Sequence, residues 1–123
     1  MIRIALLIAS LLIPLTLAAC GGGSNDALNA EKIKEAIAFV AETDGSPGIF
    51  VEGRNIVLNY AQRPPTFAEH ARRAALEATK AINGRQVVVY VIDSAEAATA
   101  VPAQGQFYCS ITANDGRMAG NNC

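Results

Sequence analysis

Apolar residues recur at helical spacing between residues 33 and 41. The positions lie three or four residues apart, as on one face of a helix, at Ile33, Ala36, Ile37, Val40 and Ala41. Asn29 is the predicted amino-terminal cap of this helix, and Gly45 is its predicted stop.

A second helix is predicted after the Pro64-Pro65 pair. Thr66 and Glu69 fit a capping box, in which each side chain satisfies a free backbone donor of the other residue. Gly84 is the predicted end of the helix. Its inner face is mostly small and would allow close approach to a sheet, with residues Phe67, Ala71, Ala74, Ala78 and Ile82.

Segments rich in β-branched and aromatic residues flank the second helix. Residues 49–51 and 56–60, separated by Gly53-Arg54-Asn55, predict a hairpin. Residues 87–92 are apolar on both alternating faces, which predicts a central strand covered on one face and at least partly covered on the other.

Residues 107–112 predict a last strand, and the Asn114-Asp115-Gly116 turn after it predicts a short return to Cys123. The order α-β-β-α-β-β indicates an α+β fold, a small two-layer sandwich. We expect about four strands, antiparallel or mixed, with two helices on one face. The order of the strands in the sheet stays open.

The first nineteen residues do not belong to this fold. A short positive segment, residues 1–3, precedes an apolar run over residues 4–17. This run is shorter than the roughly 20 apolar residues that cross a bilayer, and Pro14 interrupts it. The run ends in Leu17-Ala18-Ala19-Cys20. Such a segment is typical of a signal peptide.

The tetrapeptide resembles the lipobox of bacterial lipoproteins at all four positions. The resemblance implies cleavage before Cys20 and attachment of diacylglycerol and a further acyl chain such as palmitate to it, which anchors the protein durably in a membrane. The alternative is an ordinary secretory peptide or an amino-terminal membrane helix in which Cys20 is incidental. The predicted organisation is a signal peptide (1–19), a lipidated cysteine with a flexible tether (20–28) and one small domain (29–123).

The residue after the cysteine bears on location. In enterobacterial lipoproteins an Asp at this position favours retention in the inner membrane, and here the residue is Gly21. The resemblance therefore implies the cell envelope, with the outer membrane facing the periplasm favoured in a host that has one.

The 51% hydrophobic content owes much to the leader, and the remainder has an ordinary soluble composition. Only Arg3 of the ten basic residues precedes Cys20, whereas all eleven acidic residues follow it. The slightly negative mature chain has no basic run, so a nucleic-acid partner is not predicted. A basic patch toward lipid headgroups competes with a solvated charged face, which interleaved acids favour, at Arg72, Arg73, Lys80 and Arg85.

Lipidation of Cys20 leaves two cysteines, Cys109 and Cys123, in a compartment that permits disulfides. A two-residue turn at Asp115-Gly116 places Cys109 opposite Asn122, and a one-residue bulge places it opposite Cys123. We therefore predict a structural disulfide. A redox or metal-ligating pair is the alternative, although a C-x-x-C spacing and a neighbouring histidine are missing from the sequence.

Residues for catalysis are scarce in this sequence. The single histidine, His70, lies within the second predicted helix, and no serine has a nucleophile-elbow context. A carboxylate pair for glycan cleavage is an alternative, but so small a domain has little room for a substrate cleft. The sequence predicts a protein that is not an enzyme and that has neither cofactor nor metal.

The order helix, hairpin, helix, strand over residues 31–93 resembles the BON domain of bacterial envelope proteins. The likeness covers about half the precursor and omits residues 94–123; it implies association with membranes and phospholipids. Two functions follow as expectations. The first is a non-enzymatic envelope module, binding or structural, that contacts lipid, cell wall or protein. The alternative is an accessory or blocking subunit of a secretion, conjugation or surface-exclusion machine.

Overall fold

The computed structural model describes residues 21–123, with side chains from Asp26 onward. The predicted signal peptide, the lipobox residues Leu17, Ala18 and Ala19, and Cys20 lie outside the described residues. The elements are two α-helices, a 3₁₀ helix (Ala38–Glu42) and five strands: α1 (Gly21–Ala36), β1 (Gly48–Glu52), β2 (Asn55–Asn59), α2 (Phe67–Ala81), β3 (Val87–Ile92), β4 (Cys109–Asn114) and β5 (Arg117–Asn121). Within residues 21–123, no helix has the length and apolar character needed to span a bilayer.

The five strands form one mixed sheet in the order β1-β2-β3-β4-β5. Strands β2 and β3 are parallel and are joined through α2, whereas the other neighbours are antiparallel. The α+β class is confirmed, and the expected number of about four strands is corrected to five. The additional strand arises because Asp115 and Gly116 both have positive φ, of 57° and 74°, as in the primed turns that suit the sheet twist.

Both helices contribute to a single core on one face of the sheet. Helix α1 packs on β1 and α2, and α2 packs on β3, β4 and β5. Alternate residues of β3, namely Val87, Val89 and Val91, are fully buried against the helices. The alanine-rich face of α2 is buried as predicted, and Ala75 and Thr79 join it. Small side chains thus bring the helix close to the strands.

The amino terminus differs from the prediction. Helix α1 begins at Gly21 rather than at Asn29, so residues 21–28, expected to be a flexible tether, are helical. The packed part of α1, with Ala30 and Ile33 buried, supplies a nucleus from which each further turn adds hydrogen bonds at little cost.

The start of α2 also differs in detail. Thr66 precedes the helix, but its side chain makes no capping hydrogen bond, so the predicted capping box with Glu69 is wrong. The Thr66 hydroxyl instead lies 3.5 Å from Asp44 Oδ2, across the connection that precedes β1. A tertiary contact has therefore replaced a local one.

Gly45 and Gly105 provide a matched pair for testing close packing. Both have positive φ, of 86° and 85°, but a Cβ on Gly45 would lie 2.7 Å from Pro64 Cδ, whereas a Cβ on Gly105 would meet nothing within 4 Å. We expect Gly105→Ala to cost about 1 kcal/mol for the left-handed backbone, and Gly45→Ala to cost about 1 to 3 kcal/mol more for overpacking. Urea-unfolding midpoints of the two variants measure the difference, and equal midpoints would contradict the predicted clash.

Candidate functional site: the loop cleft

The candidate site lies where β2 and β3 end. Because these strands are parallel, their carboxyl ends, Asn59 and Ile92, lie together at one edge of the sheet. Ligand sites in sheets with parallel strands occur preferentially beyond this edge. Two connections meet here: residues 60–66, which lead to α2, and residues 93–108, which lead to β4.

Asn59 fixes the start of the 93–108 loop. Its Oδ1 accepts a hydrogen bond from the Ser94 backbone N–H at 2.8 Å, and its Nδ2 donates to the Glu96 carbonyl oxygen at 2.7 Å. At the other end, the Tyr108 N–H donates to the Val91 carbonyl oxygen at 2.7 Å. Both ends of this long loop are therefore held against the sheet.

A cavity of about 520 Å³, here called the loop cleft, lies between the two ends of the loop. Its lining combines apolar and polar groups: Ile92, Asp93, Ser94, Gly105, Gln106, Phe107 and Tyr108. The Phe107 ring packs edge-on against Tyr90, with ring centroids 5.0 Å apart, and separates the cleft from a second depression of about 380 Å³ on the open face of the sheet. The cleft has the size and mixed lining of small-ligand sites.

A cation and two aromatic rings pack together beside the loop cleft, and of these three groups Tyr108 lines the cleft. The Arg63 guanidinium lies 3.5 Å from the Tyr108 ring centroid and 5.1 Å from that of Phe67. Phe67 meets Tyr108 edge to face at 5.7 Å. The same Arg63 donates a hydrogen bond to the Asp93 carboxylate, which neutralises both charges. Tyr108 itself remains 57% exposed.

Tyr60 packs against Phe67 in a T-shaped arrangement, with ring centroids 6.3 Å apart. Its side chain is fully buried, and its hydroxyl has no hydrogen-bond partner within the part of the chain that the structure describes. Burial raises the pKa of the Tyr60 phenol, because the charged form would lose its hydration. The phenol therefore stays neutral at physiological pH and acts as an apolar support for Phe67.

The loop cleft suits binding through ring stacking and hydrogen bonds. It offers the exposed Tyr108 ring, the Gln106 amide, the Ser94 hydroxyl and the Asp93 carboxylate paired with Arg63. In residues 21–123, no group of three His, Cys, Asp or Glu is placed to hold a metal ion. His70 lies on α2, partly buried, and does not line the cleft.

Cys109 and Cys123 lie on β4 and just beyond β5. The register of these strands shifts by one residue between Thr112 and Ala113, so Thr112 faces Gly120 and, in the same register, Cys109 faces Cys123. This is the pairing that a one-residue bulge predicts from the sequence. The two cysteines lie at disulfide distance, with Cα atoms 5.1 Å apart.

Two of the basic residues of α2, Arg73 and Lys80, make contacts within the domain. The Arg73 guanidinium lies 4.1 Å from the Phe39 ring centroid, and Lys80 pairs with Glu77 at 3.9 Å. These contacts favour a solvated charged face over a headgroup patch. Sequence reasoning did not identify Arg63, Asp93 or Tyr108, although the neighbouring aromatics Phe107 and Tyr108 in a polar loop were a signal.

Comparison of the chain with protein-family models, with curated proteins and with solved structures gave no match.

Proposed function

We propose that this chain is a bacterial lipoprotein, anchored in the envelope through lipid on Cys20, whose domain is a non-enzymatic binding module. The lipobox Leu17-Ala18-Ala19-Cys20 supports the anchor, and the loop cleft supports the binding role. The outer membrane is the favoured location, because Gly21 follows the cysteine.

The position of the loop cleft relative to the start of α1 is the observation that supports the binding role. Asp26, near that start, lies beside the β1–β2 turn: its Cγ is 3.9 Å from where a Cβ on Gly53 would be. Strands β2 and β3 run from this turn toward the loop cleft, so the cleft lies at the opposite end of the sheet. A domain attached at the start of α1 would thus present the cleft away from the membrane.

The resemblance to the BON domain remains part of the proposal. The observed order α1, β1, β2, α2, β3 is the order on which that resemblance rests, and it supports a module of the same general architecture. The likeness concerns fold, and function depends on the site that the fold carries.

A second candidate, an accessory or blocking subunit of a larger envelope machine, is favoured by the exposed edge of the sheet. Strand β5 is an edge strand of the described sheet, and most of its residues are exposed. Unpaired edge strands bind extended segments of partner proteins by strand addition. Affinity capture from detergent-solubilised membranes tests this alternative, which predicts one stoichiometric protein partner that is lost when Ala119 is replaced by Pro.

The anchor is tested by Cys20→Ser. We expect the wild-type protein to incorporate radiolabelled palmitate and to fractionate with membranes, and the Cys20→Ser variant to lose the label completely, because the acceptor thiol is gone. Cys123→Ser is the matched control and should keep the label. A Cys20→Ser variant that still labels, or a wild type that does not, would contradict the anchor.

A further inference from the structure

We infer that the loop cleft binds the glycan strands of the cell wall, with the exposed ring of Tyr108 as the surface on which a pyranose ring stacks. This inference rests on the proposed envelope location and names the ligand class of the same site. It is carried by the exposure of Tyr108, the neutral charge of the cleft lining, and the direction in which the cleft faces.

Tyr108 is exposed and yet held in place. Only Leu28, at 59%, is a comparably exposed large apolar residue among the side chains that the structure describes. The Arg63 guanidinium lies over one face of the Tyr108 ring, and Phe67 packs against the ring at an angle of 75°, yet 57% of Tyr108 remains exposed. An aromatic ring fixed before binding loses little conformational entropy when a ligand stacks on it.

The polar groups beside Tyr108 match the hydroxyl and amide groups of a sugar. Arg63 binds Asp93 through Oδ2, and a carboxylate has further acceptor positions for sugar hydroxyls. The Gln106 amide adds donors and an acceptor, and the Ser94 hydroxyl, which accepts a hydrogen bond from the Glu96 N–H, adds a donor. The C–H groups on one side of a pyranose ring are weakly positive and suit the electron-rich face of an aromatic ring.

Charge separates a glycan from the other candidate ligands. Asp93 is the one charged residue that lines the loop cleft, and its carboxylate is paired with Arg63, so the lining offers no cation for a phospholipid phosphate and no unpaired anion for a basic peptide. A neutral ring with many hydroxyls fits this lining better than either. The cavity of about 520 Å³ lies within the range of ligand pockets and is large enough for sugar rings.

The direction in which the loop cleft faces indicates which glycan it would meet. The loop cleft lies at the end of the sheet opposite the start of α1, the end next to the proposed anchor. From a membrane facing the periplasm, it would point toward the peptidoglycan layer. We therefore infer that the ligand is cell-wall glycan.

The test is co-sedimentation of the full-length lipoprotein, purified from membranes in mild detergent, with insoluble peptidoglycan sacculi. We expect the wild type to sediment with sacculi, and Tyr108→Ala to bind at least five-fold more weakly. Tyr108→Phe, which keeps the ring, should bind within two-fold of the wild type. Leu28→Ala, a matched change at an equally exposed residue outside the cleft, should bind like the wild type. Soluble N-acetylglucosamine tetramer should compete.

Several outcomes would overturn the inference. These are absence of wild-type binding to sacculi, equal losses for Tyr108→Ala and Leu28→Ala, failure of the N-acetylglucosamine tetramer to compete, or binding to phosphatidylglycerol vesicles in place of sacculi. Palmitate labelling of the same preparations distinguishes this failure from failure of the anchor. If the protein is labelled but does not bind sacculi, only the glycan inference is contradicted. If it binds sacculi but is not labelled, only the lipid anchor is contradicted.

Discussion

Ile33→Ala should lower the free energy of unfolding by about 2 to 5 kcal/mol, the range for removing a large aliphatic side chain from a packed core. Ile33 lies on α1 and is fully buried in the core between the helices and the sheet. Leu28→Ala, on the same helix but at a side chain that is 59% exposed, should change the free energy by less than about 0.5 kcal/mol. Comparison of the two variants shows which part of α1 contributes to the core.

Equilibrium urea unfolding, followed by circular dichroism, measures both variants against the wild type. Equal, small effects would mean that α1 does not pack on the sheet as described. Equal, large effects would mean that the buried part of α1 extends toward Gly21 beyond Ala30.

Breaking the Cys109–Cys123 link should destabilise the domain by about 3 kcal/mol. The two residues are separated by 14 positions, and closing a loop of this length removes about that much chain entropy from the unfolded state. Cys123→Ser is the preferred variant, because Cys123 is only partly buried, whereas Cys109 is 2% exposed and its replacement by Ser would also bury a hydroxyl.

Unfolding with and without reductant measures this effect. The wild type should lose about 3 kcal/mol on reduction, and Cys123→Ser should be insensitive to reductant. Intact-mass analysis of unreduced wild type should show no free thiol at either position. Two free thiols in freshly purified protein, or a midpoint that reductant does not change, would contradict the link.

Local patterns predicted the hairpin, α2 and β3, because each has a periodicity that its own residues establish. Residues 87–92 were predicted as a strand with the bounds that β3 has. Strand β5 was foreseen only as a short return, since Arg117-Met118-Ala119-Gly120-Asn121 has no apolar alternation. It is a strand because the turn directs it along β4.

The loop cleft could not be predicted in the same way. Arg63, Asp93 and Tyr108 lie in two different connections, and they meet only because β2 and β3 are parallel neighbours. The sequence does not determine the order of the strands in the sheet, so it does not determine the distances between these three residues. The position of the two cysteines, in contrast, can be predicted, because both flank one tight turn. Counting residues across that turn leaves two possible residues opposite Cys109, namely Asn122 and Cys123.

The bulge between β4 and β5 makes the carboxyl terminus sensitive to chain length. Deleting one residue between the bulge and Cys123 would move Cys123 by one position and place it opposite Ser110 rather than Cys109. The strands would keep their hydrogen bonds, but each molecule would carry two thiols unable to reach each other. In an oxidising compartment such thiols form bonds between molecules. The number of residues between the bulge and Cys123 thus keeps the cysteine chemistry of this protein within a single chain.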